Sequence, residues 1–333
     1  MGDAATFDAF RAFIDRHDGF LILSHQDPDG DALGSSLALQ KALESRGKRA
    51  LTANESPVPE SLRFLPGWES VRLAADVTES FDAVFVLDCS SLDRVGPSAE
   101  RLVQPRAAVA CIDHHAAGNG GFGDPRLVDV EASATAELVH DMLAGVGIPI
   151  TPEIAAGLYA GIASDTGAFR YLNTTPKILR LAARLVEEGA DPALTAEALY
   201  ARKSAGSLRI LGLALASLES RAGGQVAALT ISRDMFDRAN ATPEDADGIV
   251  QYAKSLLGSR VGVLIQEPTP GEVRISFRSD GSVDVNRVAG VFGGGGHKNA
   301  AGARMKGELA DVREAILSVL ERAVNGGPAS PRG

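Results

Sequence analysis

In the stretch TFDAFRAFIDRHDG, Phe7, Phe10, Phe13 and Ile14 share one helical face. The period then changes. FLILS reads as a short strand, and ALGSSLALQKALESRG returns to helical spacing until Gly47. RALTA is a second strand. FDAVFVLD and AAVACID are two more, each a continuous apolar run ending in Asp. Runs of that kind fit strands covered on both faces, as in parallel sheets. RLVDV is another short strand, and helical patterns follow at 133–144, 151–163 and 175–188. This alternation predicts an α/β domain with a parallel sheet.

A helical stretch over 191–220 reads as a connector, and AGGQ (222–225) marks a boundary. Beyond it the pattern restarts. The strands QVAALTIS, RVGVLIQE and EVRISFRS, the segment AGARMKG, and helices near 243–257, 284–291 and 309–323 describe a smaller α+β domain. The expected division is an N-terminal domain over 1–190, a helical connector over 191–222, a second domain over 223–325 and a disordered tail over 326–333.

The chain has 333 residues and a formal net charge of -10. Length suits two domains, and 45% hydrophobic content is ample for their cores. The acidic balance argues against duplex DNA as a partner, because non-specific duplex binding needs a basic surface. Cys89 and Cys111 lie in apolar runs and are expected as buried free thiols, in keeping with a reducing cytoplasm. No apolar run approaches the length of a membrane span, and the N-terminus lacks a basic leader region. A cytoplasmic location without membrane attachment is expected.

Open parallel sheets bind ligands outside the carboxyl ends of their strands. The first strand delivers His25, Asp29 and Asp31 to that edge, VFVLD delivers Asp88, and ACIDHH delivers Asp113, His114 and His115. Asp165 follows an apolar helix in LYAGIASDTGAF. A single Asp at a strand end ordinarily caps the next helix. Four separate segments with Asp, two of them also with His, need a further reason. Converging carboxylates repel unless a cation neutralises them. Oxygen ligands mixed with imidazole favour Mn²⁺. The number of ligands suits a metal pair, with Asp88 as the bridging carboxylate. Asp27 is read as a turn residue, and Gly34 as the residue that lets the next helix start close to the site.

SHQDPDGDALGS, VLDCSS, IDHH and GIASDTGAF resemble motifs I to IV of the DHH phosphoesterase superfamily, and FGGGGHKNAAGA resembles the signature of its DHHA1 companion domain. Within the superfamily the chain looks most like the nanoRNase/pAp phosphatase type, bifunctional oligoribonucleases. That resemblance implies Mn²⁺-dependent hydrolysis of short RNA and removal of the 3′-phosphate from 3′-phosphoadenosine-5′-phosphate (pAp). It implies two Mn²⁺ ions per chain, with Mg²⁺ or Co²⁺ as substitutes. His25, Asp29 and Asp88 would hold one ion; Asp31, Asp88, His114 and Asp165 would hold the other. Asp113 would orient an imidazole, and His115 would sit beside the scissile phosphate.

The second domain is expected to bind substrate. Gly294, Gly295, Gly296 and His297 lie in a loop almost free of Cβ atoms that can approach a phosphate. Arg278 follows RISF, where the resemblance implies a phosphate-binding arginine. Residues 251–305 carry seven Lys or Arg against four Asp or Glu, a local reversal of the overall charge. Arg170, after motif IV, is a further candidate for a phosphate contact. Expected partners are short RNA or a small nucleotide, and a homodimer is allowed. The main alternative is a cyclic-di-AMP or pApA phosphodiesterase of the same superfamily. A family II inorganic pyrophosphatase and a non-catalytic nucleotide-binding module are secondary alternatives.

Overall fold

The computed structural model describes residues 3–89, 91–103, 108–115 and 121–326. Two compact units divide the chain, residues 1–202 and 203–333. The tail expected over 326–333 lies outside the described residues apart from Gly326.

The first unit opens with α1 (Ala4–Arg16), β1 (Gly19–Leu23), α2 (Gly30–Ser45), β2 (Arg49–Asn54), β3 (Arg72–Leu73) and β4 (Ala83–Leu87). It continues through α3 (Pro97–Leu102), β5 (Ala108–Asp113), β6 (Arg126–Val128), α4 (Thr135–Val146), α5 (Pro152–Asp165), α6 (Pro176–Glu187) and α7 (Pro192–Ala196). Its six strands lie in the order β3-β2-β1-β4-β5-β6, all parallel. This is the doubly wound order, in which the chain switches direction across the sheet between β1 and β4.

Burial explains the uninterrupted apolar runs. Every residue of β1 and β4 is buried. Phe20, Ile22 and Phe85 pack with Phe10 and Phe13 of α1 on one face, while Leu21, Leu23, Val84 and Val86 pack with Ala99 of α3 on the other. Each fully buried Phe or Leu contributes about 1.5–3 kcal/mol.

Gly34 has a different role from the one its sequence position suggested. It lies within α2, and a Cβ there would come 2.4 Å from the Gly157 carbonyl oxygen of α5. A Cβ on Gly157 would in turn meet the Gly34 carbonyl at 2.6 Å. The missing side chains let two helix backbones touch, and α2 carries Asp31 into that contact.

The second unit contains α8 (Ala205–Ala216), β7 (Glu219–Arg221), β8 (Val226–Ile231), α9 (Arg233–Ala239), α10 (Val250–Lys254), β9 (Val261–Thr269) and β10 (Glu272–Ser279). It ends with α11 (Val285–Gly290), β11 (Gly295–His297), β12 (Ala300–Lys306) and α12 (Leu309–Val324). The sheet order is β11-β12-β10-β9-β8-β7, antiparallel except for β8 with β9. One face packs on α11 and α12; the other packs on α8, α9 and α10 through Ala227, Leu229, Ile231 and Leu264.

Some local expectations shift. The helix expected over 191–220 is interrupted: residues 197–201 form a π-helical turn, and α8 begins afresh with Ser204 as its N-cap. The helix expected near 243–257 is a 3-10 turn over Pro243–Ala246 followed by the short α10. A helix, α9, stands where none was expected. GGGGH is also more ordered than a loop, since Gly295–His297 pair with Ala300–Gly302 as a strand.

Candidate metal centre

The first candidate residues arrive on the loop after β1. Ser24 and the His25 carbonyl both accept hydrogen bonds from Asn54 Nδ2 at the end of β2, at 3.1 and 3.0 Å. Asp29 is the N-cap of α2; its Oδ1 accepts from the backbone N–H groups of Asp31 and Ala32. The helix-capping role and the candidate ligand role therefore coincide in one residue. His25 Nε2 lies 3.8 Å from Asp29 Oδ1 and 3.5 Å from Asp88 Oδ2.

Asp31 is fully buried two residues further on. Its Oδ2 accepts from the backbone N–H of Thr135 at 2.6 Å, and its Oδ1 from that of Ala136 at 2.9 Å. These are free N–H groups at the start of α4, whose own N-cap residue, Ala134, offers no side-chain acceptor. The carboxylate of α2 thus caps α4, and the partial positive charge of that helix end favours its anionic form.

Asp88 follows β4 with a left-handed backbone, φ +56°. Its side chain is the hub of the cluster. Oδ2 faces His25, while Oδ1 faces His114 Nε2 at 3.5 Å and His115 Nδ1 at 3.3 Å. Oδ1 also accepts from Thr135 Oγ1 at 3.0 Å. The two oxygens of one carboxylate therefore address two groups of ligand-type atoms.

His114 and His115 leave the end of β5. The Nδ1 of His114 lies 3.4 Å from the Ala132 carbonyl. Its Nε2 is buried, meets no partner in hydrogen-bond geometry, and is ringed by Asp165 Oδ2 at 3.1 Å, Asp88 Oδ1 at 3.5 Å and Asp31 Oδ2 at 3.9 Å. With Nδ1 as the donor to Ala132, Nε2 presents a lone pair to three carboxylates. Only a cation or a proton satisfies such a set. Asp113 accepts both the backbone N–H of His115, at 3.0 Å, and its Nδ1, at 2.8 Å, which fixes that ring.

Asp165 is the last residue of α5. After it, Gly167, Ala168 and Phe169 all have positive φ, a left-handed turn. Such turns are costly for non-glycine residues and persist where the surroundings enforce them. The Asn173 side-chain amide ties this turn down by donating to the carbonyls of Asp165 and Ser133, while Ser133 Oγ donates to the Asn173 carbonyl.

The protonation pattern shows the same electrostatic demand. Burial opposes charge on His25 and His114, yet the neighbouring carboxylates, Asp29 and Asp88 for His25 and chiefly Asp165 for His114, raise each to about 10. Burial likewise opposes charge on His115, but Asp113 and Asp88 raise it to about 9. Burial, with repulsion from Asp88 and Asp165, pushes Asp31 well above the usual carboxylate range. Burial lifts Asp165 to about 6. Asp88 moves down, since His115 and His25 outweigh its burial. Where no cation is bound, protons are drawn in to supply the missing positive charge.

His25, Asp29 and Asp88 present ligand atoms within 4.8 Å of one another; so do Asp31, His114 and Asp165, and so do Asp88, His114 and His115. The donor set and the orphaned His114 Nε2 fit a divalent metal. Residues 19–162 match the model of the DHH family N-terminal domain, and residues 223–326 match that of the DHHA1 domain. A bifunctional oligoribonuclease and PAP phosphatase NrnA from Thermus thermophilus is 38% identical over 300 residues, 90% of this chain and 87% of the relative. The chain belongs to the DHH family. A Bacillus subtilis member with the same description is 29% identical over 92% of this chain and 95% of its own length. A solved structure, that of an exopolyphosphatase-related protein from Bacteroides fragilis, superposes with a TM-score of 0.88 at 27% identity, covering 96% of this chain and 97% of its own.

This DHH family chain places its candidate residues unevenly. His25, Asp29, Asp31, Asp88, His114 and Asp165 converge, with Asp113 and His115 beside them. Asp27 stays outside the three ligand-type groups and accepts from Ser56 Oγ. Arg170 is exposed on the turn after Asp165; its Nε donates to the Gly167 carbonyl at 2.6 Å and its guanidinium lies over the Tyr200 ring. Arg278 and Gly294–His297 belong to the second unit. There a Cβ on Gly294 would meet the Gly302 carbonyl at 2.1 Å, so this glycine admits the paired strand. Both cysteines are free and buried. Among the described residues no helix is long and apolar enough to cross a membrane.

Residues that touch the site and escaped the sequence reading include Thr135, Asn54, Asn173 and Ser35, whose Oγ donates to Asp31 Oδ1. Thr135 opens a helix, which is a visible signal, but its contact with Asp88 joins segments 47 positions apart.

Proposed function

We propose that this chain hydrolyses short oligoribonucleotides and removes the 3′-phosphate of pAp, with two Mn²⁺ ions bound per chain. The observation that carries the reading is Asp88, whose two carboxylate oxygens face two separate groups of ligand atoms. The activities named for the relatives supply the substrate class. His25, Asp29 and Asp88 hold one ion; Asp31, Asp88, His114 and Asp165 hold the other. When bound, a metal pair of this kind activates water and steadies charge on a phosphoester under attack.

The rest falls to the side chains. Asp113 holds His115 through Nδ1 and so sets the orientation of its ring. His115 binds the phosphate and gives a proton to the departing oxygen. Thr135 and the start of α4 keep the Asp88 and Asp31 carboxylates from rotating. Arg170, Arg278, Gly294, Gly295, Gly296 and His297 bind substrate phosphate or nucleotide. The cytoplasm is the proposed compartment.

The test is Mn²⁺-dependent hydrolysis of pAp, pApA, a five-mer RNA and cyclic di-AMP side by side, with Asp88→Ala as control. Turnover of pAp and the linear RNAs, lost in the variant, is the expected result. Turnover confined to cyclic di-AMP or pApA would replace this reading with the cyclic-dinucleotide one.

A further inference from the structure

Strand β10 of the second unit alternates strictly. Val273, Ile275 and Phe277 are buried in the core against α11 and α12, so Arg274, Ser276 and Arg278 share the opposite face. Cross-strand pairing extends that face. Arg274 stands directly opposite Arg304 of β12, Ser276 opposite Gly302, and Arg278 opposite Ala300. The helices α8, α9 and α10 cover this side of the sheet at β8 and at Leu264 of β9. Ser276, Gly302 and Ala300 are partly exposed, and Arg304 is exposed.

Two arginines paired directly across strands repel each other. In the next row outward the charges balance, since Glu272 stands opposite Lys306. The Glu267 carboxylate is engaged by the backbone N–H of Gly271. Among the described residues Arg274 and Arg304 form no ion pair. Arg274 Nε is buried without a hydrogen-bond partner, and so is Oε1 of Gln266, its neighbour on β9. The sheet thus sets two arginines in directly paired register on a face that also carries glycine, alanine and serine, with hydrogen-bonding capacity unused at Arg274 and Gln266. Guanidinium forks suit phosphate, and a face of small residues leaves room for a ligand chain.

We propose that Arg274 and Arg304 form an anion subsite that takes a backbone phosphate of a short oligoribonucleotide, further along the strand from the phosphate bound near Arg278. The proposal rests on the oligoribonuclease reading and deepens it. Four residues at about 3.3 Å each separate Arg274 from Arg278 by about 13 Å. A mononucleotide such as pAp held at Arg278 does not reach that far, whereas a longer chain does. The subsite would therefore set substrate length.

The experiment compares the full chain with R274A/R304A and R274K/R304K. Binding of an end-labelled five-mer RNA is followed by fluorescence anisotropy over a salt series, and Mn²⁺-dependent hydrolysis of the five-mer and of pAp is measured in parallel. The alanine variant is expected to bind the five-mer about tenfold more weakly. Its log affinity should fall less steeply with log salt, by about 0.7 for each phosphate no longer neutralised. KM for the five-mer should rise by a similar factor while KM for pAp stays within twofold. The lysine variant should keep most of the salt slope. Unchanged five-mer affinity and slope would overturn the subsite, and so would equal losses for five-mer and pAp. Absence of turnover by the unaltered chain would count against the functional reading instead, with the binding series still deciding the subsite.

Discussion

Thr135→Val tests whether the cluster depends on residues that are not ligands. The substitution keeps the shape of a fully buried side chain and removes one donor, the hydroxyl 3.0 Å from Asp88 Oδ1. The backbone N–H of Thr135 still caps Asp31, so α4 keeps its start. A hydrogen bond to a charged group contributes about 1.5–3 kcal/mol. Its loss here lets a carboxylate shared by both ligand groups rotate. Changes to the partners of metal ligands ordinarily weaken metal affinity or activity by about 10–100-fold. T135V should therefore bind Mn²⁺ at least about tenfold more weakly by calorimetric titration and hydrolyse pAp with a comparably lower kcat, whereas T135S should recover most of both. Thermal unfolding in chelator separates a site effect from a folding effect. Wild-type Mn²⁺ affinity and kcat in T135V would refute the argument that this hydroxyl sets the Asp88 geometry.

Three further outcomes follow from the packing and charge of the first unit. Gly34→Ala drives a Cβ into the Gly157 carbonyl, and overpacking of that kind costs about 1–3 kcal/mol; the melting temperature should drop and Mn²⁺ affinity should fall with it, because α2 carries Asp31. Mn²⁺ at about a hundred times its Kd should stabilise the folded chain by about 2.7 kcal/mol per independent site, so a scan with and without chelator must show a higher melting temperature with metal. Asp141 is drawn below the usual carboxylate range, because His140 and Lys177 outweigh its burial. A lowered folded-state pKa gives stability that is present above the unfolded value and lost as pH falls through the folded one. The stability advantage of the wild type over D141N, measured by denaturant melts, should hold near pH 6 and shrink below about pH 4; an advantage that grew in acid would contradict the ion pair.

Elements whose signal is local were legible. The runs FLILS and FDAVFVLD announce two-sided burial, and β1 and β4 deliver it, which puts His25 and Asp88 just beyond the carboxyl ends of neighbouring strands at the switch point. Asp29 could be read twice, as a cap and as a ligand candidate, and the structure gives it both surroundings. What stayed hidden depends on distant partners. Nothing near Asp31 says that its carboxylate caps a helix more than a hundred residues later. Gly34 reads in the sequence as letting its helix start close to the site, because its true partner, Gly157, is invisible to local spacing. GGGGH looked unstructured because glycine-rich stretches give no strand signal, although Gly294 is what allows the second strand to approach.

The left-handed backbone of Asp88 has an evolutionary consequence. That conformation is costly for most residues with a Cβ, less so for aspartate and asparagine, and glycine enters it freely. On the proposed reading, the carboxylate that serves the site and the backbone that favours glycine pull in opposite directions at this position. A descendant released from chemistry, one that kept the fold only to bind, would gain stability by drifting to glycine at residue 88. On the proposed reading, aspartate at residue 88 is the state expected of a chain that binds metal there, and glycine the state expected of one that does not.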